Sequence, residues 1–284
     1  MEWIKHFNNA INYIEDNLTN KIRLDIAAQI ACCNSYHFQR MFTYMTGIPL
    51  SEYIRRRRMS LAAEDLQSDR SKVIDVSVKY GYDSPTAFNR AFRSIHGITP
   101  SQAKEAGASL KAYPPICISL SVKGDCALDY RIEQKEAFRI IGISGPLQKE
   151  IENNFETVPR MWGEASMNGT LQRLSAKMDS PPMGLLGVSF CNEEEDWRYF
   201  IAVTSRHSAA EDFEEALVPS STWAIFRGEG PSQSIQELEK RIVLEWLPAS
   251  GYEYNNAPDI EVYFNPDPLN SMYEIWIPVK RKEV

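Results

Sequence analysis

The sequence predicts an all-α domain with two helix-turn-helix motifs, followed by an α+β domain with an antiparallel sheet. Two observations carry this prediction. Residues 1–106 contain one pattern of short helix, turn and longer helix twice, 50 positions apart. Residues 127–284 instead contain several short apolar runs typical of strands, together with two segments of helical spacing. A chain of 284 residues is long enough for two such domains.

Composition and charge limit the classes of function. Hydrophobic residues make up 43% of the chain and charged residues 24%, as in folded globular proteins. No apolar run approaches the roughly 20 residues of a membrane helix, and the start lacks the pattern of a secretory signal. We therefore expect a cytoplasmic protein with no membrane partner.

The charge is divided unequally along the chain. Residues 1–107 carry 14 Lys and Arg against 11 Asp and Glu, a net charge of +3, whereas the remainder carries 17 against 27, a net charge of −10. A basic part within an acidic chain favours an anionic partner for that part, such as nucleic acid.

Cysteine and histidine are dispersed. Cys32 and Cys33 are adjacent, the other three cysteines are isolated, and the four histidines do not cluster. No Cys-x-x-Cys spacing typical of a zinc site occurs. We therefore predict packing thiols, no metal site and no cofactor.

The internal repeat is the strongest signal in the sequence. Shifting the first hundred residues by 50 aligns Leu24-Asp25-Ile26 with Ile74-Asp75-Val76. The same shift aligns Phe38, Arg40, Phe42, Gly47 and Ile48 with Phe88, Arg90, Phe92, Gly97 and Ile98. A solenoid needs at least three repeats, so two copies favour a tandem pair within one domain.

The longer helix of each repeat has an apolar stripe and a polar face. The polar faces consist of Ser35, Tyr36, Gln39 and Arg40 in the first copy, and of Thr86, Ala87, Asn89 and Arg90 in the second. Arginine can bond guanine, glutamine or asparagine can bond adenine, and an alanine or threonine methyl can contact thymine. These faces predict base contacts, and the run Arg55–Arg58 adds basic surface. The alternative for Arg40 and Arg90 is a salt bridge within the domain.

Residues 1–106 resemble the AraC/XylS transcription regulators. The resemblance rests on Tyr36-His37-Phe38-Gln39-Arg40-Met41-Phe42, Tyr53-Ile54-Arg55, Gly81-Tyr82-x-Ser84, Phe88-x-Arg90-x-Phe92-Arg93 and Gly97-Ile98-Thr99-Pro100. It implies that both longer helices enter the major groove of promoter DNA, with RNA polymerase as a partner. Two recognition helices in one chain allow binding as a monomer, and a homodimer is the alternative. Pro85 and Ala87 depart from the polar pattern, so we predict weaker discrimination by the second motif.

The helical pattern ends near Gly107 and Pro114-Pro115. We interpret residues 107–126 as a linker and a leading strand at 116–122. Further strands are predicted at 138–143, 184–190, 197–204, 222–227, 260–264 and 273–279, with helices at 149–167 and 232–247.

Residues 127–284 resemble the GyrI-like effector-binding domain. The matching pieces are Phe138-Arg139-Ile140-Ile141-Gly142, Trp223-Ala224-Ile225-Phe226, Pro258-Asp259-Ile260-Glu261-Val262-Tyr263 and Tyr273-Glu274-Ile275-Trp276-Ile277-Pro278. The resemblance implies a small-molecule effector, such as a lipophilic cation held by a buried glutamate and aromatic rings.

Strand alternation puts Glu274 and Trp276 on one face of their strand, so a carboxylate lies beside an aromatic ring that suits a cation. The candidates for ligand binding are Glu274, Glu261, Trp276, Trp162, Trp223 and Tyr263. Which glutamate lies in the pocket stays open. The alternative is that both glutamates face water while the aromatic residues fill the core.

Together these features predict a sequence-specific DNA-binding transcription regulator, an activator, modulated by a small cationic lipophilic ligand. One alternative makes the C-terminal domain a small-molecule hydrolase, since some GyrI-like proteins are thought to use a tryptophan and a glutamate in hydrolysis. Another makes it a protein-docking module. The sequence contains no recognisable nucleophile–base pair or phosphate-binding glycine loop, so we predict that the protein is not an enzyme.

Overall fold

The computed structural model describes residues 2–68, 71–119, 127–191, 197–209, 212–265, 267 and 269–282. The chain divides into two compact units. The first contains Met1–Ala31 and Met45–Leu120, and the second contains Cys32–Tyr44 and Ser121–Val284. The segment Cys32–Tyr44 includes most of the longer helix of the first repeat, so this helix groups with the C-terminal part of the chain.

The N-terminal part is helical, as predicted. Its helices are α1 (Glu2–Asp16), α2 (Leu24–Ile30), α3 (Ser35–Thr46), α4 (Leu50–Leu66), α5 (Val73–Lys79) and α6 (Pro85–His96). The pairs α2–α3 and α5–α6 are the two helix-turn-helix motifs. Helix α6 begins where the Ser84 hydroxyl accepts a hydrogen bond from the Ala87 amide at 3.0 Å. It ends at Gly97, whose φ of 80° is accessible to glycine at little cost.

Helices α4, α5 and α6 share one hydrophobic core. Met59 and Leu66 of α4 pack with Phe88 and Phe92 of α6, and all four are fully buried. His96 of the same helix also packs in this core, and the centroid of its ring lies 4.3 Å from the centroid of the Phe92 ring. The apolar stripe predicted for the second repeat is therefore the buried face of α6, which leaves its polar face outward.

The described part of the linker differs from the prediction. Residues 107–119 form no strand, and 120–122 lie outside the described residues. Side chains of the helical domain bond its backbone instead: Ser60 accepts from the Tyr113 amide at 2.9 Å, and Asn8 accepts from and donates to Ile118, both at 2.9 Å. Because helix side chains already satisfy these backbone groups, the segment needs no strand partner.

The C-terminal part is built on an antiparallel sheet, as predicted. Its strands are β1 (Tyr130–Lys135), β2 (Phe138–Pro146), β3 (Leu185–Phe190), β4 (Arg198–Thr204), β5 (Glu214–Val218), β6 (Ser221–Gly230), β7 (Tyr252–Tyr254), β8 (Asp259–Tyr263) and β9 (Ser271–Arg281). Neighbours follow the order β1-β6-β9-β8-β3-β4-β2-β5, and β7 pairs with β9. The helices are α7 (Asn154–Met167), α8 (Thr170–Ser175), α9 (Ser232–Arg241) and α10 (Leu247–Ala249), with a π-helical turn at Ile242–Trp246 between the last two.

Both faces of the sheet are buried. On one face, Ile141, Tyr199 and Ile201 pack with Ala165 of α7 and Leu174 of α8. The other face forms a separate core that includes Trp223, Trp276, Phe200, Val188 and Ile225. Because side chains alternate along a strand, each strand residue belongs to one of these two cores. Glu261 lies on the face that carries α7 and α8. It is paired with Ile275 of β9 in the sheet register.

Candidate functional site

A cavity of about 460 Å³ lies on the helix-covered face of the sheet. Helices α3, α7 and α9 and strands β3, β4, β8 and β9 contribute to its wall. Apolar and aromatic side chains of α7 and α9, including Phe155, Val158, Trp162 and Ile235, form much of the lining. This volume falls within the range of pockets for small organic ligands.

Glu261 of β8 is the acidic centre of the cavity. Its Oε2 atom accepts hydrogen bonds from the hydroxyls of Tyr199 at 3.0 Å and Tyr263 at 2.9 Å. Trp162 of α7 donates its indole N–H to Tyr199 at 3.0 Å. Burial, followed by repulsion from Glu239, raises the pKa of Glu261 to about 7. The cavity thus holds a carboxyl group that titrates near neutral pH inside an aromatic cage.

Helix α3 lies against the same cavity and contributes Tyr36, Arg40 and Tyr44 to its lining. The Asn34 side chain accepts a hydrogen bond from the His37 amide at 2.9 Å, at the start of this helix. The Tyr36 ring meets Trp197 edge to face, with centroids 5.5 Å apart. The segment Cys32–Tyr44 is therefore a structural component of the pocket.

Arg40 is only 9% exposed. Its Nη1 atom donates to Oδ2 of Asp259 at 3.0 Å, its Nη2 atom pairs with Oε1 of Glu239, and its Nε donates to the Tyr44 hydroxyl at 3.1 Å. Tyr44 in turn donates to Oε2 of Glu239 at 2.8 Å. Desolvation disfavours the charge of Arg40, but Glu239 and the neighbouring groups outweigh it and raise the pKa of the guanidinium above its ordinary value.

Asp259 has a second partner on α3, because His37 Nε2 lies 3.0 Å from the same Oδ2 atom. Burial alone would raise the pKa of Asp259, but His37 and Arg40 outweigh it and lower that pKa. Its other oxygen, Oδ1, is buried and has no hydrogen-bond partner among the described residues. One acceptor atom of the cavity wall is thus left for an additional donor.

The structure divides the predicted ligand residues between the two faces of the sheet. Glu261, Trp162 and Tyr263 line the cavity. Glu274, Trp276 and Trp223 do not, so the expectation that they share a pocket with the others needs correction. The reason is alternation: Glu274 follows Tyr273 and precedes Ile275, so its side chain enters the opposite core.

Glu274 has a full set of partners in that opposite core. Arg131 donates to its two oxygens at 2.8 and 3.0 Å, and the indole of Trp276 donates at 2.9 Å. The Trp223 indole donates to the Pro258 carbonyl at 3.4 Å. These contacts give Glu274 a role in holding β1 against the sheet.

The predicted DNA-reading residues differ in exposure between the two motifs. On α6, Thr86, Asn89 and Arg90 are exposed and Ala87 is half-buried. On α3, Ser35 and Tyr36 are half-buried, whereas Gln39 and Arg40 are buried. Arg40 forms salt bridges, as in the alternative interpretation, but its acidic partners, Glu239 and Asp259, belong to the C-terminal part of the sequence.

The run Arg55–Arg58 does not form a single basic surface. Arg55 is exposed and donates to Glu52 at 2.7 Å, and Arg56 also pairs with Glu52. Arg57 is buried and donates to Glu15 at 2.8–3.0 Å, while Arg58 donates to the carbonyls of Leu18 and Asn20. Two of the four side chains thus hold α4 to the start of the chain.

Sequence reasoning missed Tyr199, Glu239 and Asp259. Tyr199 lies in a run of apolar strand residues, and Glu239 lies in a helix with several other charged residues, so neither stands out locally. Asp259 is part of the Pro258–Tyr263 motif, but its partners are more than 200 positions away. A polar residue between Pro258 and an apolar strand was the available signal.

Comparison with known proteins agrees with this architecture. Residues 128–280 match the GyrI-like small molecule binding domain, and residues 27–106 match a helix-turn-helix domain. The chain belongs to the AraC-type transcription regulators that carry a GyrI-like domain. Among the described residues, no helix has the length and hydrophobicity of a membrane span.

Individual relatives match different shares of this chain. The right origin-binding protein of Escherichia coli strain K12 is 22% identical over 291 positions, covering 95% of this chain and 96% of that protein. The HTH-type transcriptional activator AarP of Providencia stuartii is 46% identical over 89 residues, 31% of this chain and 66% of AarP. The probable transcription factor PqrA of Proteus vulgaris is 31% identical over 102 residues, 35% of this chain and 84% of PqrA. The match thus spans slightly less than two thirds of AarP and most of PqrA.

Proposed function

We propose that this AraC-type regulator binds a lipophilic cation in the cavity around Glu261 and activates transcription from the promoters that it recognises. The observation that carries the ligand class is the half-buried Glu261 carboxyl, which bonds two tyrosine hydroxyls within an aromatic wall. An ionised carboxylate in such a site is poorly solvated. A cation with apolar substituents neutralises it and covers the rings at the same time.

The arrangement also favours large apolar cations over small hydrated ones. Trp162 and Tyr263 meet edge to face at 5.0 Å, and the rest of the wall is mainly aliphatic or aromatic. A small hydrated cation gains little from such a wall, because it must give up its own water shell without apolar contact in return.

Calorimetric titration of the full-length protein with tetraphenylphosphonium tests this proposal. Tetraphenylborate has nearly the same shape and the opposite charge, so it serves as the control ligand. We expect saturable binding of the phosphonium only. Glu261→Gln removes the opposing charge and should lower the affinity at least about tenfold, which corresponds to roughly 1.4 kcal/mol. Equal affinity for both ions would contradict the proposal.

Glu274→Gln is the matched control variant. It makes the same chemical change on the opposite face of the sheet, and we expect unchanged phosphonium affinity. Chromatography of the ligand after incubation adds a second readout: recovery of intact phosphonium supports a sensor, and a chemically altered ligand would support the hydrolase alternative instead.

For DNA we propose base contacts from the polar faces of both motifs, with Arg55 at the backbone. The exposure of Thr86, Asn89 and Arg90 supports the second motif as the reader that is accessible in this state. The two recognition helices lie in one chain, which supports binding as a monomer, and activation implies contact with RNA polymerase. Selection of binding sites from a random duplex library tests whether the information content lies under one motif or under both.

A further inference from the structure

Glu239 of α9 and Asp259 of β8 form a carboxylate pair in the cavity wall, and Arg40 of α3 occupies it. Both carboxylates are more than nine-tenths buried. Two acidic groups face one guanidinium there, and Oδ1 of Asp259 has no hydrogen-bond partner among the described residues. The pair therefore has more acceptor capacity than Arg40 uses.

We propose that this carboxylate pair is a second cation subsite of the cavity, specific for planar guanidinium or amidinium groups, and that a ligand bearing such a group competes with Arg40 for it. The proposal rests on the ligand site proposed at Glu261, which it extends. A dication with one group at Glu261 and an amidinium at the carboxylate pair would fill both subsites of the same cavity.

The geometry explains why a planar group fits. Arg40 donates from Nη1 to Asp259 and from Nη2 to Glu239, so its two terminal nitrogens reach two different carboxylates. An amidinium carries two nitrogens in the same planar arrangement and can make the same pair of contacts. An ammonium or phosphonium centre lacks this fork, so it would not reproduce both contacts.

Competition has a consequence for DNA recognition, because Arg40 belongs to the predicted base-reading face of α3. While Arg40 neutralises the carboxylate pair, it is unavailable to a base. A ligand that replaces Arg40 at the carboxylate pair favours the state in which Arg40 and α3 are available to DNA. By linkage, DNA bound to α3 increases the affinity for that ligand. A monocation bound at Glu261 alone leaves the Arg40 contacts in place and has no such effect.

Chemical complementation of Arg40→Ala in the full-length protein tests the subsite. This variant removes the guanidinium from the carboxylate pair and leaves the contacts of His37 and Tyr44 in place. N-ethylguanidinium should therefore bind the variant and raise its Tm in a concentration-dependent way. The neutral isostere N-ethylurea should have no effect. Wild type and the control variant Arg198→Ala should respond to N-ethylguanidinium much less than Arg40→Ala, because Arg40 competes for the carboxylate pair in both. A response of Arg40→Ala no larger than that of wild type, or one that persists in Arg40→Ala/Asp259→Asn, would overturn the subsite.

A second measurement tests the competition and does not depend on the folding of Arg40→Ala. Pentamidine carries two benzamidinium groups, and hydrogen exchange of peptides from residues 32–44 should speed up when it binds to wild type. Tetraphenylphosphonium should leave that exchange unchanged. Asp259→Asn should abolish the pentamidine effect, whereas Glu274→Gln, on the opposite face of the sheet, should retain it. Pentamidine binding without faster exchange at 32–44 would overturn the competition.

These readouts separate the two proposals. If wild type does not bind tetraphenylphosphonium, the site at Glu261 is contradicted. If N-ethylguanidinium does not raise the Tm of Arg40→Ala, only the subsite at the carboxylate pair is contradicted.

Discussion

Gly187 of β3 lies directly opposite Glu261 of β8 in the sheet register. A Cβ atom at residue 187 would lie 2.7 Å from Oε2 of Glu261 and would overlap the Tyr199 hydroxyl. The hydrogen bond between Tyr199 and Glu261 therefore passes over a position where any side chain would intrude. The arrangement of Glu261 and Tyr199 therefore requires glycine at position 187.

Gly187→Ala should accordingly displace the Tyr199 hydroxyl and the Glu261 carboxylate. We expect a destabilisation of about 1–3 kcal/mol from overpacking and a clear loss of tetraphenylphosphonium affinity, measured by denaturant unfolding and calorimetry. Gly251→Ala is the matched control, because no atom beyond its adjacent residues lies within 4 Å of its added Cβ. If both variants bind the phosphonium equally well, the precise placement of Glu261 is not needed.

Ligand affinity should depend on pH through Glu261. Its pKa in the folded protein is raised to about 7 from an ordinary value of 4.5. A cation binds the ionised form, so affinity for tetraphenylphosphonium should rise with pH and level off above 7, falling about tenfold per pH unit well below it. In the free protein the same shift contributes stability below pH 4.5 that is lost as the pH rises through 7.

Glu261→Gln should remove this pH dependence, whereas Glu274→Gln should keep it. Arg40, Glu239, Tyr199 and Tyr263 are the charged or titratable groups that act on the Glu261 carboxyl. Calorimetry from pH 5.5 to 8.5 measures the effect, and a pH-independent affinity of the wild type would exclude Glu261 as the titrating partner.

The exposed face of α6 predicts the effect of Arg90→Ala on DNA binding. An arginine that bonds a base contributes about 1–3 kcal/mol, so we expect roughly a tenfold or greater loss of affinity for a duplex obtained by site selection. Fluorescence anisotropy without ligand measures this loss, and Arg198→Ala is the control. Sequence preference under the second motif should also relax; a uniform loss on all duplexes would indicate a phosphate contact instead.

The helical domain should lose stability in mild acid because of His96. Its Nε2 lies 3.1 Å from the Met59 carbonyl, and its Nδ1 accepts a hydrogen bond from the Lys111 amide at 3.1 Å. Protonation at Nδ1 would break the bond to the linker, at a cost of about 1–3 kcal/mol. Burial lowers the pKa of His96 below its ordinary value of 6.5.

The unfolded chain therefore binds the proton more readily than the folded one, and the contribution of His96 is present above pH 6.5 and declines as the pH falls below it. Thermal unfolding followed by circular dichroism at pH 7.5 and 5.5 measures this decline. His96→Gln should be less sensitive to the change, whereas the exposed His207→Gln should behave as wild type. Equal sensitivity of all three proteins would remove His96 as the cause.

Local patterns were sufficient to predict the two motifs, the antiparallel sheet and the pairing of Glu274 with Trp276 on one strand face. They could not decide which face carries the cavity, because both faces of the sheet are buried and the apolar residues on either side look alike. The burial of Arg40 could not be predicted from the sequence either. Its acidic partners lie about 200 residues away along the chain, and its neighbours in the sequence form the pattern of a base-reading helix.

The sequence did not predict β1 and β5, the two strands at the ends of the sheet order. The composition of these strands affects the behaviour of the protein at high concentration. Strand β1 carries Arg131, Glu133 and Lys135, and β5 begins with Glu214-Glu215. A terminal strand offers unpaired backbone groups to other molecules, and charged side chains make such pairing costly. Their replacement by valine or threonine would expose a template for intermolecular strand addition, so these residues protect the protein from aggregation rather than shaping its ligand site.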